Sequence, residues 1–216
     1  SISKSFSATT IMQLVEQGKL KLSDDFSDLV GFKVRNPNYP NTIITLEMVL
    51  SHRSSINDSN GYFTFDVLDP TKNPKWEKSY NNYEPGSQYE YCNLNFNMVG
   101  AVIERVSGER FDLYVKKQVL DPLGLKAGFC VDSLDKNRFV KLYDRSTGTY
   151  EEQPAAYNPR SEEVRNHVLG KTTPIFSPTG GLKISANDLA TYMLMHMNYG
   201  KLGKTRLISK KSSKQM

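Results

Sequence analysis

Hydrophobic positions recur at helical spacing in several stretches of the chain. In ISKSFSATTIMQLVEQGKL, Phe6, Ala8, Ile11, Leu14 and Val15 mark one face, and Gly18 supplies a stop. TLEMVLSH follows the turn-rich RNPNYPN and opens on Thr45, an N-cap residue type. From Leu94 onward, Val99, Val102, Ile103 and Val106 predict a longer helix closed by Gly108. A further helix is expected over about 110–120, where Asp121-Pro122 ends it and Leu123-Gly124-Leu125 turns the chain. Near the end, Ser185 and Asp188 form an S-x-x-D capping box ahead of LATYMLMHMNYG, a helix closed by Gly200.

Strand signals are scarcer. FVKLYDRSTGTYEEQ alternates around Ser146-Thr147-Gly148 and predicts a hairpin. Residues 57–85 are polar, aromatic and broken by prolines, which predicts a long surface excursion; excursions of that length are usually functional or disordered. No internal repeat is found. One hairpin cannot make a self-sufficient sheet, so the pattern asks for strands that these residues do not supply.

Composition narrows the class. A chain of 216 residues holds one full core or two small ones, and its 38% hydrophobic content is that of an ordinary globular protein, which disfavours chain-wide disorder. Lys and Arg outnumber Asp and Glu by 28 to 23, but the basic residues are scattered until KKSSKQ, which reads as a solvated surface and not as a nucleic-acid footprint. Cys92 and Cys130 fit no zinc spacing, and His52, His167 and His196 stand far apart, so no metal and no cofactor are expected. No apolar run approaches the roughly 20 residues of a membrane span, and no signal peptide is visible. The chain opens on serine without an initiator methionine, which leaves room for a processed or trimmed leader.

Two clusters could carry chemistry. Ser1 and Lys4 are three apart on one helix face. A serine hydroxyl needs a base to become a nucleophile, a lysine amine can serve when its pKa is lowered, and the helix N-terminus favours an oxyanion. The same spacing also fits a capped helix with a surface lysine. In YEPGSQYEYCNLNF, Tyr91 could share a proton with a lysine, and Asn93 could present an amide to a substrate carbonyl. Equally, Tyr91 could pack and Asn93 could cap the helix starting at Leu94.

Taken together and in this order, the clusters resemble the serine β-lactamase and DD-peptidase superfamily, in particular its class C β-lactamase-like branch with its penicillin-binding, esterase and D-aminopeptidase members. SISK, with Ser1 and Lys4, looks like the S-x-x-K motif. YCN, with Tyr91 and Asn93, looks like Y-x-N. TLEMVLSHRSSI is similar to the family's LLSHTSGL, DPLGL to its helix-ending turn, and SPTGGLKISANDLATYM to its P-x-GGL stretch. Two departures stand out. Ser54-Ser55 replaces Ser-Gly, giving up a glycine's positive-φ freedom and predicting a local rearrangement. The family's third motif, Lys-Thr-Gly or His-x-Gly, is not matched by the segments at His167, Lys171 or Lys204, which lie at the wrong places relative to P-x-GGL.

The resemblance implies an α/β (α+β) fold of the β-lactamase/transpeptidase type, with residues 1–216 as the central portion of a single catalytic domain: mainly its helical part plus a hairpin, without most of the sheet. Such a piece is expected to expose sheet-facing apolar surface and to be unstable or aggregate on its own. The activity implied is hydrolysis through a serine acyl-enzyme on an amide, β-lactam, D-amino-acid peptide or ester. Ser1 would be the nucleophile, Lys4 and Tyr91 the proton relay, and Asn93 the holder of the substrate's amide side chain. The oxyanion would sit on the Ser1 backbone N–H and a second N–H from the sheet edge. A penicillin-binding sensor that is acylated without turnover fits the same residues. The partner implied is a small-molecule or peptide substrate, in a periplasmic or secreted setting; the sequence sets no oligomeric state. The 62–83 excursion is expected to shape the pocket. Cys92 and Cys130 read as buried, the latter in a strand; His52 as a structural hydrogen-bonding residue; Met193, Met195 and Met197 as core; and Asn57-Asp58-Ser59 as a glycosylation sequon.

Overall fold

A computed structural model describes the backbone of residues 1–216 and every side chain except that of residue 155. Helix α1 (Ser3–Glu16) and helix α4 (Asn93–Ser107) cross at the centre. Around them lie α2 (Phe26–Val30), α3 (Leu46–Leu50), α5 (Phe111–Val115), α6 (Ser161–Arg165), α7 (Ala186–Met197) and α8 (Lys210–Gln215). The strands form two antiparallel hairpins: β1 (Tyr143–Asp144) with β2 (Glu151–Glu152), and β3 (Lys201–Leu202) with β4 (Thr205–Arg206). Among the described residues no larger sheet occurs.

Helix α4 organises the core. Its Leu94, Met98, Val99, Ala101, Val102 and Ile103 are fully buried, and it packs against α1, α2, α3 and α5. Each of these side chains larger than alanine contributes about 1.5–3 kcal/mol when removed from water. The polar residues buried on α4 each satisfy a neighbouring loop, as burial demands. Asn95 accepts from the Ser54 hydroxyl and donates to the Val49 carbonyl. Asn97 donates to the Tyr62 carbonyl and accepts from the Thr179 N–H. Glu104 accepts from the Phe111 and Gly170 N–H groups and from the Thr173 hydroxyl, and it pairs with His167 Nε2 at 3.0 Å. At Gly100 a Cβ would stand 2.3 Å from Pro178 Cγ, so the absent side chain is what lets 173–178 seat against α4.

Helix α1 is buried through small polar residues. Ser7 donates to the Pro178 carbonyl, Thr9 meets Tyr192 Oη at 2.8 Å, and the Phe6 and Tyr192 rings stack at 3.7 Å. The predicted caps form: Thr45 accepts from Met48 N–H, Ser185 accepts from Asp188 N–H, and Gly108 closes α4 at φ 71°.

Several expectations are corrected. The helix over 110–120 forms, but after Val115 it widens into a π-type stretch over Lys116–Leu120. Residues 57–85 are anchored and not a free excursion: Val67, Leu68, Ser79 and Tyr80 are buried, and Ser79 donates to the Val67 carbonyl. Ser55 adopts φ 62° itself, and its hydroxyl accepts from Asn36 Nδ2, so the positive-φ conformation is held without glycine. Cys130 is buried, but outside any strand; beside it Gly128 makes an isolated bridge to Lys183. Of the three methionines on α7 only Met195 is core; Met193 and Met197, each two residues away and so turned by about 200°, face outward. The hairpin at 201–206 was not foreseen, because YGKLGKTR shows little alternation.

Candidate active site

Helix α1 enters with Ile2 at its N-cap position and no side-chain cap, placing Ser1 just outside the first turn and Lys4 inside it. Ser1 is exposed, whereas Lys4 is 7% exposed beneath it. Tyr91 and Asn93 arrive from the extended run that leads into α4. Ser1 Oγ and Tyr91 Oη are 2.6 Å apart, and Lys4 Nζ donates to Tyr91 Oη at 2.6 Å, to Asn93 Oδ1 at 2.8 Å and to the Thr179 carbonyl at 3.0 Å. Three acceptors match the three protons of an ammonium. All four residues singled out in the sequence therefore meet at one point.

This arrangement sets the electrostatics of the phenol. Burial pushes the Tyr91 pKa up, but the hydrogen bonds with Lys4 and Ser1 and the Lys4 charge outweigh it, leaving the phenol below its ordinary value. Tyr91 is 41% exposed, in contrast to the buried lysine that donates to it.

Asn93 is held from two sides. Its Oδ1 accepts from Lys4 and from the Thr179 hydroxyl at 2.9 Å, and its Nδ2 donates to Asp58 at 2.9 Å. The Nδ2 carries a second hydrogen beyond the one given to Asp58. Asn93 is the first residue of α4 and does not cap it; the cap is Asp58, which accepts from the Asn93 N–H at 2.8 Å, the Leu94 N–H at 3.0 Å and the Cys92 thiol. Asp58 and Thr179 were missed as site residues. A signal for Asp58 existed: the N-cap position of α4 is Cys92, a poor capping residue, so the free N–H groups of the first turn needed an acceptor from elsewhere. Asn57 of the sequon donates to Asn81 Oδ1.

His52 lies against Tyr91 with ring centroids 4.7 Å apart. His167 meets Thr172 through Nδ1 and Glu104 through Nε2, and Lys204 lies in the β3–β4 turn. Among the described residues, no group of His, Cys, Asp and Glu could hold a metal ion, and no helix is long and apolar enough to cross a membrane.

Comparison with known proteins gives this geometry a context. A profile of the beta-lactamase family matches residues 1–216. The putative penicillin-binding protein PbpX of Bacillus subtilis is 35% identical over 131 residues, 58% of this chain and 31% of that protein. The D-alanyl-D-alanine-carboxypeptidase/endopeptidase AmpH of Escherichia coli is 28% identical over 151 residues, 67% of this chain and 39% of that protein. The octameric penicillin-binding protein homologue of Pyrococcus abyssi superposes with a TM-score of 0.70 at 26% identity, covering all of this chain and 47% of that one. The chain thus spans less than half the length of each of these three proteins. Its architecture is the β-lactamase/transpeptidase-like fold, represented by a mostly helical part with two small hairpins, and the chain belongs to the beta-lactamase family.

Proposed function

We propose that Ser1 is the nucleophile of a hydrolase that works through a covalent serine ester on an amide, β-lactam, D-amino-acid peptide or ester carbonyl. The observation that carries this reading is the continuous contact from Ser1 Oγ through Tyr91 Oη to Lys4 Nζ. Tyr91, held low by the lysine ammonium, takes the Ser1 proton as Oγ attacks the carbonyl carbon. It returns that proton to the leaving nitrogen or oxygen when the tetrahedral intermediate collapses. A water then repeats the sequence, giving a proton to Tyr91 and releasing the acid from Ser1. Lys4 Nζ, in contact with Tyr91 Oη, acts with it in this relay and stabilises the negative oxygen. The spare Nδ2 hydrogen of Asn93 faces the substrate's amide side chain.

On this reading residues 1–216 are the central portion of one catalytic domain, and the remaining wall and the second oxyanion donor come from outside them. The name of the Escherichia coli relative makes a peptide ending in D-alanyl-D-alanine the first substrate to try. Rapid mixing with that peptide and with a penicillin tests the reading. A burst followed by steady release is the expected course; one equivalent of acylation without turnover identifies a sensor, and neither burst nor turnover contradicts the assignment.

A further inference from the structure

Helix α3 ends in a Schellman turn whose left-handed residue is a histidine. Arg53 N–H returns to the Met48 carbonyl at 2.7 Å and His52 N–H to the Val49 carbonyl at 3.3 Å, with His52 at φ 58°. Glycine is the usual occupant of that position because a Cβ crowds the backbone there; histidine is among the few other residues found there. A strained side chain in a glycine's place directs attention to what that side chain does.

Here it reaches Tyr91 in three ways. The imidazole lies against the Tyr91 ring at an interplanar angle of 33°, with Phe96 at 5.3 Å and the edge of Tyr89 at 5.9 Å. Its Nδ1 accepts from the Cys92 N–H at 3.1 Å. Its backbone carbonyl accepts from the Glu90 N–H at 2.8 Å. The residues on both sides of Tyr91 therefore hang from His52.

We propose that His52 is a positioning residue for Tyr91: by accepting the N–H groups that flank the tyrosine and backing its ring, neutral His52 holds Tyr91 Oη between Ser1 Oγ and Lys4 Nζ. The inference rests on the role given to Tyr91 above. An accepting Nδ1 fixes the tautomer with the proton on Nε2. Protonation would turn Nδ1 into a donor facing the Cys92 N–H and place a second cation beside Lys4. The titratable groups around the ring are Lys4 from α1, Asp58 from the 57–85 segment, and Tyr89 and Tyr91 from the run before α4. Burial and then Lys4 push the imidazole below the ordinary histidine range against the pull of Asp58, so the holding form persists at neutral pH and is lost in acid.

Two variants of the full chain separate the contributions. His52→Asn tolerates the positive φ, offers Oδ1 to the Cys92 N–H and does not titrate; His52→Phe keeps a ring but has no acceptor. At pH 8, His52→Phe should lose about 10–100-fold in kcat/KM, as a misplaced reacting group does, and His52→Asn clearly less. In acid, the wild-type kcat/KM should fall more steeply than that of His52→Asn by the one proton His52 takes up; far-UV circular dichroism over the same range checks that the fold survives. Nitrogen-15 spectra of the histidines read the arrangement without catalysis: Nδ1 of His52 should be unprotonated at pH 7, and the Cys92 amide shift should follow its titration. Parallel acid limbs, or a proton on Nδ1 at pH 7, overturn the proposal. A wild-type protein with no Ser1 adduct would instead sink the hydrolase reading, while the spectra still decide whether His52 holds this segment.

Discussion

Lys4 and Tyr91 share a 2.6 Å hydrogen bond across 87 positions of sequence, and the lysine that makes it is almost wholly buried. The phenol therefore sits next to a positive charge that has nowhere else to go. If that charge keeps the phenolate accessible, Lys4→Met should cut the acylation rate by about 10²–10⁴-fold, the range for loss of general acid–base assistance. The pH dependence gives the sign. The wild-type phenol is held below its ordinary value, so the rate should rise with pH through a limb below pH 10; removing the lysine should move that limb to higher pH. A stopped-flow acylation series against pH checks both, and an unmoved limb would show that Tyr91 is not the titrating base.

Asp58 should matter more to the fold than a loop residue ordinarily does. It accepts two of the first-turn N–H groups of α4 and orients the Asn93 amide. Loss of a cap costs about 1–2 kcal/mol, so Asp58→Ala should lower the melting temperature by roughly 2–8 °C for a chain of this size. Calorimetry of the variant beside wild type decides it, and an unchanged melting temperature would remove Asp58 from the account.

Glu104 is completely buried and serves donors from α5 and from the 167–173 segment. Glu104→Ala leaves those donors without an acceptor and should cost about 3–5 kcal/mol, read as a lowered urea midpoint. Glu104→Gln keeps one acceptor oxygen and the side-chain volume and should cost less than Ala; equal losses would mean that the complete carboxylate, and not the volume or a single acceptor, is what the site needs.

Gly100→Ala sets two effects against each other. Alanine favours a helix over glycine by about 1 kcal/mol, but the new methyl would stand 2.3 Å from Pro178 Cγ, and overpacking costs about 1–3 kcal/mol. The proline ring cannot fold aside, so the net change should be destabilising. Because Thr179 follows Pro178 and accepts from Lys4, the same variant should also lose acylation rate; a stabilised and fully active Gly100→Ala protein would show that this contact yields freely.

The helices were legible because they rest on local rules, apolar spacing and caps such as Thr45 and Ser185; the four meeting residues were legible through the resemblance of SISK and YCN to family motifs, since spacing alone left other readings open. What escaped is non-local. Asp58 caps a helix from 35 residues away, and nothing in its own neighbourhood announces that. The Thr179 carbonyl reaches Lys4 only because Gly100 lets its segment approach α4. Met193 and Met197 were misplaced because hydrophobicity alone does not say which side of a helix has a partner. Ser55 shows the opposite error: a residue type argued against a conformation that its buried hydrogen bond with Asn36 supports.

The central claim is that Ser1 becomes covalently acylated through Tyr91 and Lys4. The most direct measurement is the intact mass of the protein, with the modified residue located by peptide mapping, before and after a fluorophosphonate and a penicillin. The account predicts a single adduct on Ser1 that is absent in Ser1→Ala and much slower to form in Tyr91→Phe. Labelling that persists in Ser1→Ala, or that forms at the same rate without the Tyr91 hydroxyl, would contradict it.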